Sequence, residues 1–239
     1  MKILATDMDG TFLDHLGAYD KARLDSLLDA CEAKDYVFTV ASGRALLALE
    51  ELFDGFVDRI AIIAENGALV QYKGEVLFES KLEPKDYLEI ADTTSYLKAM
   101  ERYYENVMAT DLEAVTDDIF KVTAKFQGDT IMERGDYLNT IFEDMTAVTT
   151  GFDSMDIILK GVDKGFGLYH LCQELGRQAS DVVAFGDNLN DMEMLTFAGR
   201  AVATENARDE IKEVADEVIG HHKDGAVFDY MEGLVGSDV

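Results

Sequence analysis

Positive charge is scarce in this chain. Against 48 aspartates and glutamates stand 21 lysines and arginines, a formal net charge of −27. Such a surface repels phosphate backbones, which argues against nucleic acid as a partner. A small phosphorylated molecule meets the same repulsion at long range. Any phosphate site must therefore be made locally positive by a metal ion, a lysine or backbone N–H groups. The remaining acidity reads as solubility or adaptation to salt. Cysteine occurs twice, at Cys31 and Cys172, both inside predicted helices. Two such residues give no disulfide framework, and a reducing cytoplasm is the expected setting. No run is long and apolar enough to span a membrane. The first strand begins at the N-terminus, and no signal peptide is expected. Proline occurs once, at Pro84, and there is no internal repeat or low-complexity tract.

What is present alternates. Lys2-Ile3-Leu4-Ala5-Thr6, Tyr36 to Val40, Ile60 to Ile63 and Val182 to Phe185 are short apolar runs of the kind buried on both faces of a parallel sheet. Between the first two, Leu24, Leu27, Leu28 and Cys31 recur at helical spacing. A helix is expected over Ala45 to Phe53, and a hairpin from Leu69 to Phe78 around Lys73-Gly74. Pro84 marks an approximate boundary. Beyond it the pattern becomes α+β, with helices expected at Asp86 to Ile90, Ser95 to Tyr103 and Tyr137 to Phe142. Strands are expected at Ile119 to Phe126 and Ala147 to Thr149. Met155 to Leu159 reads as the strand that leads back, and regular alternation resumes after Lys164. The expected architecture is an α/β, Rossmann-like core built from residues 1–82 and 155–239, interrupted by an inserted α+β domain over residues 83–154. An insert of this kind can act as a lid that selects substrate and excludes water.

The chemistry concentrates at strand ends. Asp7-Met8-Asp9-Gly10-Thr11 follows the first strand, where open α/β sheets bind ligands. A carboxylate there can attack phosphorus, and a second one two residues on can deliver and remove protons. Gly10 permits a tight turn, and the Thr11 hydroxyl is placed to hold Asp9. The same acids also suit local capping of a turn. Asp187 and Asp191, in Gly186-Asp187-Asn188-Leu189-Asn190-Asp191 after the run at Val182, suit Mg²⁺, which takes a few carboxylates and keeps several waters. Asp191 equally suits a helix N-terminus. Ser42-Gly43-Arg44 pairs a hydroxyl and a glycine with the start of a helix, an anion site that is also common capping chemistry. Lys164, just before another helix, is locally an ordinary surface lysine. It gains meaning because an acid-rich site needs a cation to hold phosphate. The adjacent His221 and His222 read as solvated loop residues.

Taken in order, Asp7-Met8-Asp9-Gly10-Thr11, Ser42-Gly43-Arg44, Lys164-Gly165 and Gly186 to Asp191 resemble the four motifs of the haloacid dehalogenase (HAD) superfamily. The insert between the second and third resembles the C2-type cap of its Cof-like subfamily. Ala64-Glu65-Asn66-Gly67-Ala68, Asn206-Ala207 and Asp224-Gly225-Ala226 agree. Val148 to Phe152 is most similar to a bacterial sugar-phosphate phosphatase branch. Glu205 departs from the glycine usual before the Asn206 position. The resemblance implies Asp7 as nucleophile and Asp9 as general acid/base, with the Asp9 backbone carbonyl offered to Mg²⁺. Lys164 would neutralise Asp7 and the phosphoryl group. Thr11, Ser42, Gly43, Lys164 and Asn190 would bind phosphate, and Asp7, Asp9, Asp187 and Asp191 would form the metal site. Phe152 and Asp153 are candidate substrate contacts, alongside their plainer readings as a core aromatic and a turn acid.

The expected function is a cytoplasmic, Mg²⁺-dependent phosphatase of small phosphate monoesters, sugar phosphates foremost, working through an aspartyl phosphate on a small phosphorylated metabolite. The alternatives are a sugar-phosphate phosphomutase, which shares the intermediate, and a non-catalytic phosphate-binding module.

Overall fold

The computed structural model describes residues 2–83, 116–125, 131–149 and 154–236. The chain divides into two compact units, Met1–Phe78 with Asp163–Val239, and Glu79–Val162.

The first unit is built on a sheet of eight strands: β1 (Lys2–Thr6), β2 (Tyr36–Ala41), β3 (Ala61–Ala64), β4 (Leu69–Tyr72) and β5 (Glu75–Glu79), then β9 (Val182–Gly186), β10 (Arg200–Ala203) and β11 (Glu217–Val218). Their spatial order is β11-β10-β9-β1-β2-β3-β4-β5. From β11 to β3 all neighbours are parallel, and β4 returns antiparallel to β3. This is the α/β, Rossmann-like arrangement expected from the apolar runs. The strand order reverses at the centre, because β1 continues to β2 on one side and has β9 on the other. In such sheets the crevice beyond the strand ends at the reversal is where ligands bind. β1 and β9 run in register from Ile3 opposite Val182 to Thr6 opposite Phe185. Their next residues but one or next are the acids Asp7 and Asp187.

Both faces of the central strands are buried, which explains the unbroken apolar runs. Ile3, Ala5, Val37 and Ala41 join one cluster with Leu168 and Leu171 of α4 (Lys164–Glu174), Met194 and Leu195 of α5 (Met192–Phe197) and Ile211 of α6 (Asp209–Val214). The other face meets α1 (Lys21–Ala33), α2 (Leu46–Leu52) and α7 (Ala226–Gly236). There Phe12 packs against Phe38, Phe53 and Phe228 with ring centroids 5.2, 6.4 and 4.6 Å away. The end of the first acidic motif is thereby fastened into the core. Asp20 caps α1 by accepting from the Ala22 and Arg23 amides at 3.0 Å.

In the second unit, β6 (Val122–Lys125), β7 (Met145–Thr149) and β8 (Ser154–Leu159) form an antiparallel sheet in the order β6-β8-β7. Its core gathers Leu82, Val122, Ile131, Met145, Ala147, Met155 and Ile157 under α3 (Ile131–Ile141). β8, read from the sequence as returning to the core sheet, is instead the centre of this one. Its apolar run fits either sheet, and only pairing decides. The helix expected at Tyr137 to Phe142 begins earlier, at Ile131. Pro84, the helices expected at Asp86 to Ile90 and Ser95 to Tyr103, and the candidate contacts Phe152 and Asp153 lie outside the described residues. No helix among the described residues is long and apolar enough to cross a membrane.

Candidate active site

Three strand ends and one helix start converge. Asp7 follows β1, Ser42 follows β2, Asp187 follows β9, and Lys164 opens α4. The Asp7 amide donates to the Phe185 carbonyl at 3.0 Å, which ties the two acidic strand ends together. The chain then turns at Gly10, whose φ of +89° lies in the left-handed region that glycine adopts without strain. The turn is also crowded, because a Cβ on Gly10 would lie 2.5 Å from Asp187 Oδ2.

Lys164 is the centre of the cluster. It is fully buried, and its Nζ donates to Asp7 Oδ1 at 2.5 Å and to Asp191 Oδ1 at 2.6 Å. The other Asp191 oxygen accepts from the Asp187 and Asn188 amides at 2.9 and 3.0 Å. Both oxygens of this buried carboxylate are thus engaged. Asp191 shapes the loop that carries Asp187 and anchors the lysine. Thr11 Oγ1 donates to Asp187 Oδ1 at 2.8 Å. The sequence had suggested Asp9 as its partner; the approach of a loop 176 residues away supplies Asp187 instead.

Asp9 sits differently. Its side chain is 60% exposed and accepts from Arg44 Nε and Nη2 at 2.9 and 2.6 Å. Arg44 belongs to the Ser42-Gly43-Arg44 turn, where the Ser42 hydroxyl accepts from the Arg44 amide at 3.2 Å. Ser42 itself is buried, its amide donating to the Ile63 carbonyl at 2.8 Å and its carbonyl accepting from the Asn66 amide at 3.1 Å. Gly43 permits a close approach, since a Cβ there would lie 2.7 Å from Asn66 Oδ1. The structure thus brings Asp7, Thr11, Lys164, Asp187 and Asp191 into one network and pairs Asp9 with Arg44. Ser42, just after β2, and the half-buried Asn190, beside Asp191 in the chain, have no hydrogen bond or ion pair to the network among the described residues.

The electrostatics follow from three carboxylates around one ammonium. Burial, then the neighbouring Asp191, pushes the Asp7 carboxyl well above the usual carboxylate range despite Lys164, and Asp187 adds to the rise. Burial pushes Asp187 up to about 6, against the hydrogen bond from Thr11. Burial opposes the charge on Lys164, but Asp191 and Asp7 outweigh it and hold the ammonium more firmly protonated than usual. The cluster is short of positive charge. One oxygen from each of Asp7, Asp187 and Asp191 lies within 4.8 Å of the others. Hard oxygen donors with unmet positive charge fit a divalent cation of the Mg²⁺ type.

Sequence reasoning missed three residues. Arg44 lay inside a motif but had no role assigned, Asn206 was only a mark of resemblance, and His222 was read as solvated. Asn206 Nδ2 donates to the Gly10 carbonyl at 2.7 Å, and His222 Nδ1 lies 2.7 Å from the Leu13 carbonyl.

An acid-first strand end, a buried lysine and a second acidic strand end thus meet at the sheet's reversal point, where α/β folds place their ligand sites. Residues 4–107 and 94–231 match the family of haloacid dehalogenase-like hydrolases. The chain is 30% identical to the 5-amino-6-(5-phospho-D-ribitylamino)uracil phosphatase of Escherichia coli, over 98% of this chain and 96% of that protein. It is 26% identical to the Bacillus subtilis phosphatase of the same name, over 91% of this chain and 89% of that one. The crystal structure of a Streptococcus mutans protein superposes with a TM-score of 0.90 at 24% identity, covering 99% of this chain and all of that one. The chain belongs to the haloacid dehalogenase-like hydrolases, and within them it is an enzyme of the phosphatase type.

Proposed function

We propose that this chain is a Mg²⁺-dependent phosphatase that cleaves small phosphate monoesters through an aspartyl phosphate on Asp7. The observation that carries this reading is Lys164, buried and donating to both Asp7 and Asp191 beside Asp187. A buried lysine needs partners to stay charged. Here its partners include the acid that would become the nucleophile.

Mg²⁺ would be held by Asp7 and Asp187 and the Asp9 backbone carbonyl, with Asp191 supporting, and would supply charge neutralisation at the phosphoryl oxygens. Lys164 favours the ionised form of Asp7 against burial and the neighbouring acids, and adds a second positive charge to the site. An Asp7 oxygen attacks phosphorus, the phosphorus–oxygen bond to the leaving alcohol breaks, and Asp9 gives that alcohol its proton. Asp9 then takes a proton from water. The water oxygen bonds to phosphorus, the bond to Asp7 breaks, and inorganic phosphate leaves. Asp9 must release Arg44 or turn within its grip to deliver that proton, and its exposure leaves room for this. Ser42, with Gly43 and Thr11, and Asn190 are proposed to line the phosphate position. The second unit, Glu79–Val162, is proposed as the cap that selects substrate, a wider span than the residues 83–154 read from sequence.

For the substrate we propose sugar and sugar-alcohol phosphates. The resemblance to the sugar-phosphate branch supports the first, and the ribityl phosphate in the name of both bacterial relatives supports the second. The test is phosphate release from a panel of sugar phosphates, ribityl phosphates, nucleotides and pyridoxal phosphate, with Mg²⁺ or EDTA, beside Asp7→Asn. Release that needs Mg²⁺ and disappears in the variant is the expected result. Isomer formation without phosphate would overturn it in favour of a mutase, and full activity of Asp7→Asn would overturn the mechanism.

A further inference from the structure

The acidic turn after β1 is held from outside by two side chains that no catalytic role accounts for. Asn206 Nδ2 donates to the Gly10 carbonyl at 2.7 Å. The Asn206 Oδ1 accepts from the His222 amide at 3.1 Å. The His222 ring places Nδ1 2.7 Å from the Leu13 carbonyl. A carbonyl only accepts, so Nδ1 carries the proton and donates. The three bonds form one connected brace, running from Gly10 through Asn206 and His222 to Leu13. It spans the part of the turn that contains Thr11, whose hydroxyl holds Asp187.

We propose that Asn206 and His222 are positioning residues that fix the Asp7–Leu13 turn so that Asp7, Asp9 and Thr11 keep their places. The inference rests on the phosphatase reading for its kinetic consequence. Gly10 is where the turn is most exacting, with its φ of +89° and its tight approach to Asp187. The brace grips the carbonyl of that same residue. Two backbone bonds close the turn, Phe12 N–H to the Asp7 carbonyl at 3.2 Å and Leu13 N–H to the Met8 carbonyl at 2.9 Å. The carbonyls of Gly10 and Leu13 would otherwise face water or nothing, and unpaired groups near a buried site cost free energy. The two braces come from different places, Asn206 after β10 and His222 in the short turn before α7. They therefore couple the nucleophile's turn to the far edge of the sheet.

The experiment uses the full chain and three variants. Asn206→Asp keeps the acceptor for the His222 amide but replaces the donor to Gly10 with an oxygen. His222→Leu removes the donor to Leu13. His222→Asn restores a donor near the Nδ1 position. The first two are expected to lower kcat by about tenfold or more with KM changed by less than about threefold, since small misplacements of reacting groups are costly. Their melting temperatures should fall by only a few degrees, the cost of one unpaired carbonyl, and His222→Asn should recover most of kcat. Hydrogen exchange at the Phe12 and Leu13 amides should quicken in the first two variants. Wild-type kcat in both, or a kcat loss that His222→Asn does not restore, would overturn the proposal. Should the wild-type chain release no phosphate at all, the phosphatase reading fails by itself. The brace then stands or falls on whether exchange at Phe12 and Leu13 quickens.

Discussion

The site has two halves, each an aspartate of the same motif paired with a cation. In the inner half, Asp7 and Lys164 are buried with Asp191, the lysine entirely so. In the outer half, Asp9 meets Arg44 with side chains 60% and 30% exposed. The bond lengths are alike, but the environments differ, and so do the consequences. A buried pair is fixed because neither partner can fall back on water. An exposed pair contributes little and exchanges readily with solvent. The difference matches the proposed chemistry. A nucleophile benefits from a fixed position, and an acid/base that serves a leaving group and then a water benefits from freedom to move.

Breaking the inner pair should have the largest effect. Lys164→Met leaves Asp7 and Asp191 facing each other without a cation. Chemical denaturation should register a loss of about 3–5 kcal/mol, the range for removing one partner of a buried pair. Activity should fall by about 10²-fold or more through lost electrostatic stabilisation. Lys164→Arg should not restore it, because a forked guanidinium does not fit where one ammonium donates to two carboxylates. A stability loss below about 1 kcal/mol, the value for an exposed pair, would erase the contrast between the halves.

A pH series sharpens the comparison. Asp187 is raised to about 6, and Asp7 is raised too, by burial first and acidic neighbours second. Such a group binds its proton more tightly folded than unfolded. Its contribution to stability is full below the ordinary carboxylate pKa and is lost as pH rises through the folded value. In EDTA, the wild-type melting temperature should therefore fall between about pH 4 and 7 more than that of Asp187→Asn. Mg²⁺ should relieve that fall, and its affinity should rise over the same range as protons leave the site. Parallel curves for the two proteins in EDTA would contradict the electrostatic description.

The smallest effect is expected from Arg44→Ala. Its pair with Asp9 is half in water, so stability should change by less than about 1 kcal/mol. The accompanying loss of kcat should be smaller than for Lys164→Met. A large drop in melting temperature would mean that the outer half is as fixed as the inner one.

Much of this could be read from the sequence because the signals were local. The runs at Ile3, Val37, Ile60 and Val182 are apolar for a reason that acts within a few residues, burial on both faces of a parallel sheet. The acids at their ends stand out against them, so Asp7 and Asp187 were visible as strand-end residues. What was hidden depends on distant partners. Lys164 looks like any surface lysine until Asp7 and Asp191 are seen to enclose it. Thr11 finds Asp187 only because β9 lies beside β1. β8 has the composition of a core strand, yet it pairs with β6 and β7. His222 looks solvated until its ring meets the Leu13 carbonyl. In each case the deciding contact spans elements far apart in the chain, where periodicity and propensity carry no information.

The central claim is that Asp7 takes the phosphoryl group. It is tested most directly by mixing the enzyme with a substrate found by phosphate release, quenching in acid within a turnover, and locating any covalent phosphate by peptide mass spectrometry. The account predicts one base-labile phosphoryl group on the peptide that contains Asp7, and none in Asp7→Asn. Steady turnover with the phosphoryl group on another residue, or with a direct attack by water and no covalent species at any quench time, would contradict it.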